Sequence, residues 1–345
     1  MTAVLDVQGV TMRFGGLVAT SDVSLQVQKG QIYAVIGPNG AGKTTLFNAI
    51  TGIYEPTSGR VLFEGKEIRR QWTGAVVATA LLSGVLAAVL CVLGLNATAL
   101  WEAAVLKQYV YGQPFAWGQA MGAFFSAVGA LGWGWGGLPA LAGLAVGAAG
   151  YAAIFHATRR TPDLVARAGM ARTFQNIRLF GEMNLVENVL VGMDQHYRCG
   201  FWACLFRPPW FWRERARTRA RTYQLLRFVE LHESAGELAR NLPYGHQRRL
   251  EIARALATEP RLLLLDEPAA GMNPSESADL MGLIRRIRES GITVLLIEHD
   301  MKVVMGISDR ITVLQYGKKI AEGTPQEIRN DPVCIEAYLG TETLG

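Results

Sequence analysis

The run Gly37-Pro38-Asn39-Gly40-Ala41-Gly42-Lys43-Thr44 constrains this chain more than any other stretch, because it fits G-x-x-x-x-G-K-[ST]. Its context fits as well. Gln31-Ile32-Tyr33-Ala34-Val35-Ile36 before it is short, β-branched and apolar, the pattern of a buried strand. Thr45-Leu46-Phe47-Asn48-Ala49-Ile50 after it reads as a helix with apolar positions at 46, 47 and 50. A strand, a glycine-rich turn and a helix start make an anion site, since unpaired amides and the helix dipole point the same way. The spacing therefore predicts a cradle for nucleotide phosphates over residues 37–44. Lys43 is expected to reach the β- and γ-phosphates, and the Thr44 hydroxyl to ligate Mg²⁺.

Charge is unevenly spread along the 345 residues. From Trp72 to His156 the only charged residues are Glu102 and Lys107, while the flanks have ordinary globular charge. The chain reads as a soluble protein interrupted by something apolar. The net charge of +5 decides nothing about partners. Cys91, Cys199, Cys204 and Cys334 form no C-x-x-C pair and no His-linked spacing, which suggests reduced structural thiols in a cytosolic setting. Met1 to Phe14 shows no secretory signal.

Residues 4–36 alternate short apolar runs with turn residues such as Phe14-Gly15-Gly16, favouring antiparallel strands that feed the loop. Phe14 could stack on adenine or equally be a core aromatic. Thr73 to Leu95 is uncharged and, at about 1.5 Å per residue, long enough for a bilayer core of about 30 Å. Trp133 to Phe155 is a second candidate span with aromatic ends, and Phe115 to Gly132 a third apolar stretch. Both ends of the insert join one soluble domain, so the number of crossings must be even. Arg69, Arg70, Arg159 and Arg160 place both ends on the cytoplasmic side. The expectation is two crossings, 73–95 and 133–155, with the third stretch interfacial or re-entrant. The alternative is a soluble helical hairpin.

Beyond the insert, Thr161-Pro162-Asp163 reads as a helix start with Thr as N-cap. Residues 184–260 read as mainly helical. Within them Phe201 to Trp212 is dense in aromatics and Arg213 to Arg221 in arginines. That stretch fits a local core beside a solvated helix, or a membrane-facing arm. A nucleic-acid patch is disfavoured, since no recognisable binding motif accompanies it. Leu262-Leu263-Leu264-Leu265 and Ile292 to Ile297 are expected to be central parallel strands, with a helix over Ser277 to Glu289 between them. Asp266 and Glu267 follow the leucine run, at the strand end where parallel sheets bind ligands. Asp266 is suited to hold Mg²⁺ and Glu267 to polarise the attacking water. His299, at the end of the next strand, is suited to contact the γ-phosphate.

Together these residues resemble the ATP-binding subunits of ABC transporters, on both sides of the insert. The resemblance adds Ala171-Arg172-Thr173-Phe174-Gln175, where Gln175 looks like the glutamine that senses Mg²⁺ and the permease. It also adds Asn241-Leu242-Pro243-Tyr244-Gly245-His246-Gln247, which looks like the signature loop opening a helix over Arg248 to Ala257. Phe14 then stands where the family's adenine-stacking aromatic stands. Thr173 to Phe180, Arg248 to Ala255 and the tail Asp331 to Gly340 resemble the branched-chain amino-acid importer subunits. The resemblance implies an α/β P-loop ATPase with an antiparallel β subdomain and a helical subdomain. It divides the chain at 1–70, 71–160, 161–260 and 261–345, the second part being the apolar insertion that the family pattern lacks.

It further implies ATP and Mg²⁺ as cofactors, with Glu267, His299 and Gln175 in catalysis. Phe14, Gly37 to Thr45 and Gly245 would bind nucleotide, and Thr44, Gln175 and Asp266 the metal. Implied partners are permease subunits, a second ATPase subunit facing head to tail, and indirectly a solute-binding protein, at the cytoplasmic face of the inner membrane. Nucleic acid is not an implied partner. A regulatory, DNA- or ribosome-directed ABC ATPase is the alternative. Three departures stand out: Pro243 replaces the signature serine, Asn273 stands where many relatives have Asp, and the insertion is present.

Overall fold

The computed structural model describes residues 3–196 and 200–339; Cys199 and Gly340 lie outside them. The chain up to Arg69 and again from Arg160 forms one compact unit, and Arg70–Arg159 forms a second.

The first unit is built on two sheets. One is antiparallel, in the order β2-β1-β4-β5, from β1 (Ala3–Phe14), β2 (Leu17–Gln28), β4 (Ser58–Phe63) and β5 (Lys66–Glu67). The other has the order β10-β9-β3-β8-β7-β6. It comprises β3 (Ile32–Ile36), β6 (Met170–Arg172), β7 (Leu262–Asp266), β8 (Thr293–Ile297), β9 (Arg310–Gln315) and β10 (Lys318–Gly323). The unbroken apolar runs of β3, β7 and β8 are buried at every position because the sheet is covered on both faces. Alternate residues of β3 serve two cores. Tyr33 and Val35 pack with the antiparallel sheet and the Lys43–Ile50 helix. Ile32, Ala34 and Ile36 pack with the helices of the opposite face.

Register decides where the chemistry emerges. Ile32 pairs with Val294 and Val35 with Ile297, while Asp266 pairs with Ile297. The carboxyl ends of β3, β7 and β8 are therefore level. The glycine-rich loop, Glu267 and the Glu298-His299 segment leave the sheet side by side.

The helical part contains Leu185–Gly192, Phe201–Phe206, Pro209–Phe228 and Tyr244–Leu256. The last of these begins earlier than the sequence suggested. Pro243 takes the N-cap position, so Tyr244 and Gly245 are the first helical residues and not part of a preceding loop. Thr161 does precede the Pro162–Arg167 helix, but its hydroxyl caps nothing and is buried without a partner. The helix placed over Ser277–Glu289 starts at Pro274, because Asn273 and Glu276 form a reciprocal capping box. An Asp would make the same cap, so this departure costs the helix nothing.

The second unit is a helical hairpin. Gly74–Leu95 runs antiparallel to Leu138–Ala157, which follows a π-helical turn over Trp133–Gly137. Small residues let the backbones touch. A Cβ on Gly147 would sit 2.6 Å from the Ser83 carbonyl, and one on Gly143 2.6 Å from Ala88 Cα. Ser83 Oγ donates to the Gly147 carbonyl at 3.2 Å, and Asn96 Nδ2 to the Trp135 carbonyl at 2.8 Å. At the neck, Arg70 N donates to the Arg159 carbonyl. Leu82, Leu86, Leu90, Val146 and Ile154 are exposed on the outside. Trp117–Gly129, at 13 residues about 20 Å long, is too short to span a bilayer.

Candidate functional site

The loop after β3 turns so tightly that side chains are excluded at two points. Gly42 has φ 92, and a Cβ there would lie 2.4 Å from the Ala19 carbonyl. A Cβ on Gly37 would lie 2.1 Å from the Leu314 carbonyl. Gly42 ends the loop as the N-cap of the Lys43–Ile50 helix, whose first turn holds Thr44 and Thr45. Lys43 is buried and folds back over the loop, donating from Nζ to the carbonyls of Gly37 at 2.7 Å and Pro38 at 3.0 Å. Burial pushes its ammonium pKa down, while the carboxylates of Glu267 and Asp266 oppose that shift. The lysine thus closes a ring of backbone with its charge held at the centre.

Asp266 is 2% exposed at the end of β7 and takes a hydrogen bond from Arg172 Nη2 at 2.7 Å. Arg172 also donates to Asn48 Oδ1 at 2.6 Å, tying the strand before Gln175 to the phosphate-loop helix. Glu267 has φ 44, a left-handed conformation rare for a residue with a side chain. Its backbone N–H donates to the Ile297 carbonyl at 2.9 Å. Its carboxylate accepts from Gln175 Nε2 at 2.8 Å and lies 3.7 Å from His299 Nδ1. Gln175, Glu267 and His299, from three separate segments, therefore meet at one oxygen. Phe14 is not a core aromatic: it is exposed and makes an edge contact with Tyr54, ring centroids 5.2 Å apart.

Gly245 is the exception. The three atoms nearest to where its Cβ would stand, 3.2–3.7 Å away, all belong to Glu276 and none to residues 37–45.

Three contributors were not legible as such in the sequence. Glu298 is fully buried beside His299 and accepts from the Ala269 N–H at 2.8 Å and the His299 N–H at 3.2 Å. Burial raises its pKa. It fixes the segments that follow both Glu267 and β8. Arg248 and Glu251, on the Tyr244–Leu256 helix, form a buried ion pair at 2.7 Å. Arg248 donates to the carbonyls of Phe174 at 2.7 Å and Gln175 at 2.9 Å. Glu251 accepts from the Phe174 N–H at 3.2 Å. This helix therefore grips the Gln175 loop by its backbone. A charge adjoining an unbroken apolar run was the one available clue to Glu298.

The oxygen donors Thr44, Asp266 and the Gln175 amide suit a hard cation that takes its remaining ligands from phosphate and water. Among the described residues there is no cluster of three or more His, Cys, Asp or Glu that would form a dedicated metal cage.

The fold and loop define a P-loop nucleotide-binding protein of the α/β class, with its acidic residues at the carboxyl edge of a parallel sheet. Two family descriptions match. "ABC transporter" covers residues 20–83 and 138–270, leaving 84–137 unmatched, and "Branched-chain amino acid ATP-binding cassette transporter" covers 318–343. The chain belongs to the ABC transporter ATP-binding family.

It is 39% identical to the high-affinity branched-chain amino acid transport ATP-binding protein BraF of Pseudomonas aeruginosa, over 98% of both chains. It is 37% identical to LivG, of the same description, from Escherichia coli, over 97% of both. Among solved structures it resembles a nucleotide-free ATP-binding cassette from an ABC transporter at 26% identity, with TM-score 0.62 and 98% and 99% coverage. It also has the fold of a cassette in the ADP conformation, with TM-score 0.64 and 99% and 100% coverage at 24% identity.

Lys43→Ala removes both the charge and the ring closure. The expected result is loss of nucleotide binding by titration with a fluorescent ATP analogue. Unchanged affinity would contradict the assignment of the loop.

Proposed function

We propose that this chain is the ATP-hydrolysing subunit of an importer for branched-chain amino acids or closely related solutes. The observation that carries the reading is the convergence of Gln175, Glu267 and His299 beside the Lys43 loop. The similarity to BraF and LivG supports the substrate class.

Thr44, Asp266 and Gln175 would hold Mg²⁺, which when bound neutralises phosphate charge. Lys43 and the loop amides hold the β- and γ-phosphates, and Phe14 supplies an exposed ring for the base. Glu267 takes the proton of the attacking water, and His299 stabilises the γ-phosphate side of that reaction. Gly245, lying away from its own loop, completes the site of a second ATPase subunit in a head-to-tail pair. Pro243 brings no hydroxyl, but the amides at the start of the Tyr244–Leu256 helix remain anion donors. ATP bridging the two subunits closes the pair and hydrolysis reopens it. The Gln175 loop passes that motion to the permease. A cleft of about 720 Å³ lined by Phe174, Arg178, Phe180, Val191 and Arg254 borders that loop and is a fitting seat for a permease helix. The test is reconstitution with permease subunits and a solute-binding protein of a branched-chain amino acid importer. ATP-dependent leucine uptake supports the reading; ATP hydrolysis without uptake of any such amino acid overturns the transport role.

The 71–160 insertion is read as a two-span membrane hairpin with both ends cytoplasmic. Its two long apolar segments, Gly74–Leu95 and Trp133–His156, have 22 and 24 residues with mean hydropathy 2.7 and 1.7, and only 11% of the apolar stretch of each is buried. A soluble core hairpin would bury that surface. The interhelical glycines and the Ser83 and Asn96 bonds are the packing devices available where water cannot help. Retention in the pellet after carbonate extraction, with no permease present, is expected. Release into the supernatant would leave the ATPase peripheral.

A further inference from the structure

The chain carries a second apolar surface, within the ATPase unit itself. The helix Leu185–Gly192, whose Val191 and Gly192 line the cleft beside the Gln175 loop, leads towards the short helix Phe201–Phe206 and then Pro209–Phe228. A local aromatic core is not what these elements form. Within residues 201–219 only Ala203 and Phe211 are buried, whereas Phe201, Trp202, Leu205 and Phe206 are exposed, with Phe206 72% accessible. Trp202 and Phe206 stack on each other, ring centroids 5.9 Å apart, and Trp210 and Trp212 continue the exposed face.

Cations frame this face. Arg207 separates the two helices, and Arg213, Arg215, Arg217 and Arg219 follow the tryptophans with Glu214 as the only acid among residues 200–228. Among the described residues Arg207, Arg213, Arg217 and Arg219 form no ion pair, while Arg221 pairs with Glu259 at 3.7 Å. Arg215 lies 5.8 Å from the Trp212 ring, which extends the apolar surface under a charged head.

We infer that residues 201–219 form a bilayer-interface anchor that seats its aromatic side chains among lipid headgroups and pairs its arginines with anionic phospholipid phosphates. Tryptophan and phenylalanine at the tip with arginine behind match the two halves of that interface, one apolar and one negatively charged. The arm would hold the ATPase flat beneath the membrane, independently of the 71–160 hairpin. It does not depend on the transported solute.

The test is made on the full chain, because the hairpin alone could bring the protein to vesicles. Phe206→Cys, with the native cysteines replaced by serine, carries an environment-sensitive fluorophore. The protein is reconstituted into vesicles with about a third phosphatidylglycerol, or into phosphatidylcholine alone. Expected are a blue-shifted emission and quenching by a shallow nitroxide lipid in the anionic vesicles, both weakened in phosphatidylcholine and in high salt. Arg213→Gln, Arg217→Gln and Arg219→Gln should each lower the docked-to-undocked ratio roughly fivefold. A fluorophore that stays aqueous and unquenched in anionic vesicles overturns the proposal. So does one shielded only when permease is added and never reached by the nitroxide, which would make the arm a protein contact. ATP hydrolysis measured on the same vesicles reports the catalytic reading separately, so either can fail alone.

Discussion

Glu267→Gln should bind ATP normally and hydrolyse it about 10²–10⁴-fold more slowly, the usual contribution of a positioned general base. The substitution is isosteric. An amide oxygen can still accept the bond that Gln175 Nε2 makes at 2.8 Å, and the backbone at φ 44 is unchanged in its demands. What disappears is a base able to take the water's proton. Because ATP remains bound and unhydrolysed, the two subunits should accumulate in the closed pair. ATP retained through gel filtration at twofold larger apparent mass, with phosphate release at background, is the expected observation. Wild-type phosphate release would remove Glu267 from the role of base and leave His299, 3.7 Å away, as the candidate. The comparison with Lys43→Ala separates the two functions of the site, since that variant should lose binding itself.

The elements that could be read in advance were those whose signal is local. The buried strands β3, β7 and β8 announce themselves as unbroken apolar runs, and the phosphate loop by glycines that no other residue could replace. The sequence predicts the Tyr244–Leu256 helix from Arg248, four residues after its actual start, because glycine at position 245 reads as a loop residue. Only the capping position of Pro243 shows the helix already under way. Phe14 could not be assigned by periodicity, since a hairpin end permits either face; its exposure resolves the ambiguity. The same holds for the aromatics at 201–212, whose density fits a local core or a membrane-facing arm alike; most of them are exposed, which removes the core. Pairings across long separations were invisible. Arg172 meets Asp266 ninety-four residues away, and Arg248 meets the Gln175 carbonyl seventy-three residues back. Such contacts depend on sheet order and helix placement, which spacing along the chain does not encode.

The last of these pairs carries the other large expected effect. Arg248 and Glu251 are 0% and 2% exposed, and together they hold the Phe174 N–H and the Phe174 and Gln175 carbonyls. Arg248→Met should cost about 3–5 kcal/mol in unfolding free energy, because it strands a buried carboxylate and two carbonyls. Loss of stability alone would not distinguish a fold brace from a mechanical link. Arg248→Met combined with Glu251→Leu does, since an apolar pair of similar volume can recover much of the stability of a buried ion pair. That double variant should fold and hydrolyse ATP, because Lys43, His299 and the Glu267 carboxylate keep their contacts and only the long bond from Arg248 Nη2 to the Glu267 carbonyl, at 3.5 Å, is lost beside the site. It has nonetheless lost the bonds by which the Tyr244–Leu256 helix holds the Gln175 loop. Permease should therefore no longer stimulate its ATP hydrolysis, and uptake should fall well below the level its hydrolysis predicts. If stimulation and uptake persist at the wild-type ratio, the pair only braces the fold, and motion reaches the permease by another route.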